Sequence, residues 1–346
     1  MKKLSITIIS FLLLLILVNP GVGAAETTVA VTIVPQIEMV EAIAGERVEV
    51  VEMIPKGFSP ANYSPSPSEM RAFSEANIYF SIGVPADMQN ILPRAEERSN
   101  LEVVKLFERI ETKYPHRYFG EEDVHQDDGD DHDEDEHHDE EAEHHHQEDA
   151  DHDEGHNHEE AEHHDEEDLE QDEHGHSHAE GRDPHIWLSP ARVSYMVEIM
   201  RDELIELLPE YEAEFKENTE QYLAELEAAD QKNKELLASS KGEAILVYHP
   251  SFGYFTEHYG LKLLAIEKDG KEPGPQHLQQ IIENAKEQGI QNVFYQAEID
   301  STRTRAVAEE LGGKIVQLNP LAENYIENLE KMAAEMAAEL AGRDGQ

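Results

Sequence analysis

"VAVTIVPQIEMVEAIAGERVEVVEMI", Val29 to Ile54, is the stretch whose reading decides the fold. It opens with a β-branched run that ends at Pro35, which predicts a strand. Ile37, Val40, Ile43 and Ala44 follow at helical spacing, Gly45 stops the helix, and Val48 to Ile54 is β-branched again. The unit is strand, helix, strand. "SPSEMRAFSEANIYFSIG" repeats the scheme: Ser66 caps, Pro67 takes the first helical position, Glu69 closes a capping box and "NIYFSIG" is the next strand. "LEVVKLF" from Leu101 is a fourth. Strands alternating with helices predict a mostly parallel sheet covered on both faces.

The same alternation returns after Gly242. "EAILVYH", "LKLLAIE", "NVFYQAE" and "KIVQLN" read as strands, and "GPQHLQQIIENAKEQG", "DSTRTRAVAEELGG" and "NYIENLEKMAAEMAAELAG" as helices. Between the two halves, Ser189 is expected to cap a helix with Pro190 at its first position, and Glu210 to Leu237 reads as one long helix after Pro209. The fold class expected is therefore α/β, with two similar lobes joined by a long rigid helix and a cleft between them. The divisions are residues 25–208 for the first lobe, 209–240 for the linking helix and 241–346 for the second lobe. Ligands of open α/β sheets bind outside the carboxyl ends of the strands, which here is the cleft mouth.

Two segments fall outside this scheme. Lys2 and Lys3, the apolar run Ile6 to Val18 and the small residues before Ala25 have the three parts of a secretory signal peptide over residues 1–24, so export across the cytoplasmic membrane is expected, to a periplasm or cell surface. The other lies between "KYPHRYFG" and "RDPHIWLSPARV", an insertion over 121–181. From Glu121 to Glu180 it holds 31 Asp and Glu, 15 His and no Lys or Arg. Without apolar periodicity it reads as a disordered insertion in a loop. The chain's formal net charge is −49, and the part outside Glu121 to Glu180 keeps −18. Such a surface disfavours nucleic acid and anionic lipid and attracts cations. There is no cysteine, so a disulfide framework, a thiolate metal site and a lipid-modified N-terminal Cys are excluded.

Five histidines lie outside the insertion: His116, His185, His249, His258 and His277. His249 follows the strand "EAILVY", and His185 stands in the loop "RDPHIWLSP" before a helix. One from each lobe, both beside Pro and aromatic residues at loop ends, they are the pair expected to ligate a metal. His258 and His277 read as surface residues, His116 as a residue that could approach the cleft mouth, and Trp187 as packing under its loop. Neither a nucleophile and base pair, nor a glycine-rich phosphate loop, nor an "HExxH" motif is present, so catalysis is not expected.

"DPHIWLSP", "YHPSFGYF", "PKGFSPANYSPSPSEM" and "LNPLAENYIENL" resemble, in order and spacing, the signature segments of the metal-binding solute-binding proteins of zinc and manganese ABC transporters. The resemblance runs across the whole mature chain and includes the signal, the linking helix and the His-rich acidic insertion. It implies an extracytoplasmic receptor, expected as a monomer, that captures Zn²⁺ and delivers it to a membrane permease driven by an ATPase. It also implies two metal ligands directly, His185 and His249. The family's first histidine falls on Ala61, and its usual acidic residue falls on Asn319, a weaker donor than a carboxylate. Glu298 in "VFYQAEID", at a strand end, is the expected carboxylate in their place, with Asn62, Gln36, Asn319, water or an insertion histidine as further donors. Two imidazoles, a carboxylate and a fourth light donor suit tetrahedral Zn²⁺; Mn²⁺ would want more oxygen. The alternatives are a manganese, nickel or cobalt receptor, a secreted metal buffer or adhesin without a transporter, and, disfavoured, a zinc hydrolase.

The insertion is expected to collect metal near the cleft. His137, His138, His144, His145, His146, His156, His158, His163, His164, His174, His176 and His178 occur in clusters such as "HHH", "HNH" and "HGHSH" that can bring two imidazoles to one ion. Each site in an unfolded tether is weak, because ordering costs about 1 to 2 kcal/mol per residue. Many on one tether still raise the local metal concentration.

Overall fold

The computed structural model describes residues 27–119, 181–267, 273–298 and 301–342. The first lobe runs β1 (Thr27–Ile33), α1 (Pro35–Ala44), β2 (Val48–Ile54), α2 (Pro67–Phe73), β3 (Ile78–Ser81), α3 (Leu92–Glu96), β4 (Glu102–Lys105) and α4 (Leu106–Glu111). Next come α5 (Pro190–Leu207) and the 25-residue α6 (Glu212–Leu236). The second lobe runs β5 (Ala244–Val247), α7 (Gly253–Tyr259), β6 (Lys262–Ala265), α8 (Pro275–Glu287), β7 (Val293–Gln296), α9 (Ser301–Glu310), β8 (Ile315–Leu318) and α10 (Tyr325–Ala341).

All pairings within the two sheets are parallel, with orders β2-β1-β3-β4 and β6-β5-β7-β8. The orders are the same topology used twice. Central strands covered on both faces need continuous apolar sequence, and β1, β3 and β5 are buried along nearly their whole length. The α2 capping box forms as expected, with Ser66 Oγ accepting from the Glu69 N–H and Glu69 Oε2 accepting from the Ser66 N–H. Ser189 precedes α5 but makes no side-chain cap. It is fully buried, and its hydroxyl is turned to Arg192 Nη1 at 3.5 Å instead.

α6 packs on α1, α5 and α10, so it touches helices of both lobes. Apolar residues of the first sheet, α5, α6 and α10 form one continuous core, and a smaller cluster fills the second lobe between β5, β7 and α9. Polar ties cross between the lobes. Glu38 on α1 accepts from the backbone N–H groups of Tyr325 (2.5 Å) and Ile326 (3.3 Å), so it caps α10 from another lobe, and Tyr222 of α6 also donates to it. Trp187 donates to the Pro320 carbonyl at 2.9 Å, and Tyr325 donates to the Trp187 carbonyl at 2.7 Å. Trp187 is thus a packing residue under its loop, as expected, and fixes the segment that carries His185.

Candidate metal centre

His185 opens a short 3-10 turn, Ile186–Leu188, before α5, and His249 lies two residues past β5. The structure brings the two rings together edge to face, with centroids 5.5 Å apart. Each is held from behind by a carboxylate. Asp183 Oδ1 lies 2.7 Å from His185 Nδ1 and also accepts the His185 backbone N–H. Glu267 Oε2 lies 2.7 Å from His249 Nδ1. A carboxylate only accepts, so in each neutral ring the proton sits on Nδ1 and the lone pair is left on Nε2. This carboxylate–histidine arrangement fixes the tautomer and the ring orientation.

Sheet register explains the second pair. β5 and β6 run parallel with Val247 opposite Ala265, so two residues further on His249 stands opposite Glu267. His185 is nearly buried. Burial pushes its pKa below the usual value, opposed by the hydrogen bond to Asp183 and assisted by the neighbouring His249 ring. The neutral, metal-binding form is therefore favoured.

Glu298 follows β7, the other neighbour of β5. Its Oε2 is buried and has no hydrogen-bond partner among the described residues. Burial raises its pKa, opposed by its own backbone N–H. Among the described residues no group of three or more His, Asp or Glu stands close enough to hold a metal, so the pair is not yet joined by a third ligand.

Other expected donors are placed otherwise. Gln36 is fully buried and spent on structure: its Oε1 accepts from the Thr32 and Ile33 N–H groups and its Nε2 donates to the Phe80 carbonyl. Asn319 Oδ1 accepts from the Leu321 N–H at 3.2 Å, within its own turn. Ala61 and Asn62 are exposed. His258, read as a surface residue, is part-buried and sits 2.7 Å from Asp230, because α7 packs it towards α6. His277 is half-buried at the start of α8. The His116 side chain is buried, with its pKa lowered by burial and by Arg182. The insertion histidines, His137 through His178, lie outside the described residues.

The profile of the ZnuA family, the zinc-uptake complex component A, periplasmic, matches residues 29–339. The zinc-binding lipoprotein AdcA of Streptococcus pneumoniae is 26% identical over 347 residues, covering 96% of this chain and 60% of AdcA, so the chain spans about three fifths of that relative's length. A crystal structure of ZnuA superposes with a TM-score of 0.69 at 25% identity, over 91% of this chain and 99% of the other. A ZnuA deletion mutant with zinc bound superposes equally well, at 25% identity over 90% and 97%. With two parallel sheets of identical order, His185 and His249 meeting edge to face, and a family match over residues 29–339, the chain belongs to the ZnuA family of periplasmic zinc-uptake components.

Proposed function

We propose that this protein captures one Zn²⁺ between its lobes through Nε2 of His185 and Nε2 of His249, and delivers it to the membrane permease of an ABC importer powered by an ATPase. One observation carries the reading: two imidazoles from different lobes face each other, each with Nδ1 engaged by a carboxylate. Glu298, from the strand beside the one that delivers His249, supplies the carboxylate, since a cation would satisfy its unpartnered oxygen. Nitrogen donors with one carboxylate favour zinc over manganese. With Ala61 and Asn319 at the other two family positions, the remaining donor is water or an insertion histidine. The protein works as a monomeric receptor and catalyses nothing, in keeping with relatives named for binding and uptake.

Calorimetric zinc titration of the mature protein and of a form lacking residues 121–180, each with and without His185→Ala and His249→Ala, tests this. The expected result is one tight site in the shortened form that the double substitution removes. Tight binding that survives the double substitution would place the site elsewhere. Tight binding that disappears with the insertion alone would make the protein a metal buffer on this fold or a receptor completed by the insertion.

A further inference from the structure

Residues 117–119 and 181–183 run side by side as a short antiparallel neck. Tyr118 pairs with Arg182, the Phe119 N–H donates to the Gly181 carbonyl, and the Asp183 N–H donates to the Arg117 carbonyl. Asp183 is thus both the last rung of this neck and the carboxylate that holds His185. Arg117, on the opposite strand of the neck, reaches its other oxygen: Nε lies 3.6 Å from Asp183 Oδ2, and Nη1 lies 3.0 Å from Glu257 Oε2 on α7 of the second lobe. Tyr254 on the same helix accepts the Arg117 N–H at 2.9 Å and donates to the Asp183 carbonyl at 3.3 Å. Its pKa is raised to about 12 by burial, so the hydroxyl stays protonated as a donor.

The fit leaves no spare room. A Cβ on Gly253, the first residue of α7, would come within 2.8 Å of Arg117 Nε, Arg117 Nη2 and Asp183 Oδ2. The two neighbouring arginines have other work. Arg182 donates to the Gly83 carbonyl over the Phe107 ring, and Arg192 donates to the Pro115 carbonyl over the Tyr254 ring. A guanidinium presents its donors in a rigid planar fork, so it holds two carboxylates in a more fixed geometry than a compact ammonium on a flexible stem does.

We propose that Arg117 is a positioning residue of the metal site: from the neck it fixes Asp183, and through it the His185 ring, while anchored to Glu257 of the other lobe. This rests on His185 and His249 holding the metal. Arg117 meets Asp183, which in turn holds the His185 ring, so its effect passes through that carboxylate.

The test is zinc affinity of the full-length chain by chelator competition, counting only the binding that His185→Ala abolishes. Arg117→Met should weaken that component about tenfold, as loss of an outer partner of a metal ligand does. Arg117→Lys should fall between Met and the native residue. Combining Arg117→Met with Asp183→Asn should add nothing to Asp183→Asn alone, a non-additivity that a merely structural role would not produce. Gly253→Ala, which pushes a methyl into the same contact, should weaken binding in the same direction and keeps the idea testable if Arg117→Met does not fold. An Arg117→Met affinity within about twofold of native, or a loss that persists undiminished beside Asp183→Asn, would overturn the proposal. If His185→Ala abolishes no binding at all, the site reading fails first, and Arg117 has nothing to position.

Discussion

Asp87 in the first lobe and Glu298 in the second make an instructive pair, because the lobes share one topology and each carboxylate follows the third strand of its own sheet. Burial raises both pKa values. Their surroundings differ. Asp87 accepts from Tyr79 Oη (2.6 Å), Ser81 Oγ (2.6 Å), the Gly83 N–H (2.8 Å) and Thr32 Oγ1 (3.3 Å), and so ties the ends of β1 and β3 together. Glu298 Oε2 has no such donor among the described residues. A buried carboxylate surrounded by donors is a structural element, whereas one left without them costs stability unless a cation joins it. Asp87, six residues past β3, closes the end of its sheet, whereas Glu298, two residues past β7, has no such role.

The largest effect expected from breaking this comparison is at Asp87. Asp87→Ala would strand the Ser81 hydroxyl and the Gly83 N–H in a dry interior and leave the Tyr79 hydroxyl only Thr32 Oγ1 as a partner. The loss should be about 3 kcal/mol or more, read as a lower urea midpoint at unchanged slope. A loss below about 1 kcal/mol would mean that the cluster is not the structural element described. Gly83 is a second point of failure in the same cluster. It has a φ of 77°, and a Cβ there would approach the Phe107 ring to 2.6 Å and Arg182 Nη2 to 2.8 Å. Gly83→Ala should destabilise by about 1 to 3 kcal/mol in the same assay.

Glu298→Gln should act in the opposite sense on stability and in a different assay on function. Without zinc the variant should be slightly more stable than the native protein near neutral pH, because a buried charge has been removed. Zinc affinity should fall about tenfold. A stability–function trade of this kind marks a residue kept for binding. Equal zinc affinity in the two proteins would remove Glu298 from the site.

Much of this was legible in the sequence, and the limits have physical causes. Each strand and long helix announces itself locally through β-branched runs or helical spacing, and the Ser66–Glu69 box is a local signal too. His185 and His249 stand out because each lies at a loop end. Asp183 could have been found as well, two residues before His185 in "RDPH". Glu267 and Asp87 could not, because they matter through sheet order: Glu267 meets His249 only because β6 lies beside β5, and Asp87 meets Thr32 only because β3 lies beside β1. Local sequence does not encode which strand is whose neighbour. Gln36 misled for a related reason. An amide after a strand can serve a ligand or the strand's own end, and only the structure shows Oε1 taken by Thr32 and Ile33.

The smallest expected effect is also the sharpest for the comparison. Glu298 has a folded-state pKa raised above its usual 4.5, so its contribution is stabilising below that value and is lost as pH rises through the raised one. Glutamine at 298 does not ionise. Without zinc the two proteins should therefore have equal urea midpoints at about pH 4, and the variant should draw ahead as pH rises towards 7, by less than about 1 kcal/mol because solvent still screens a half-buried carboxyl. Asp87 is present in both and cancels. Saturating zinc should reverse the order near neutral pH, since a cation beside the carboxylate replaces the missing donors. A difference that does not change with pH would come from packing rather than from the Glu298 charge. An order that zinc leaves unchanged would make Glu298 a buried carboxylate with no metal to serve, and the contrast with Asp87 would then be one of fit alone.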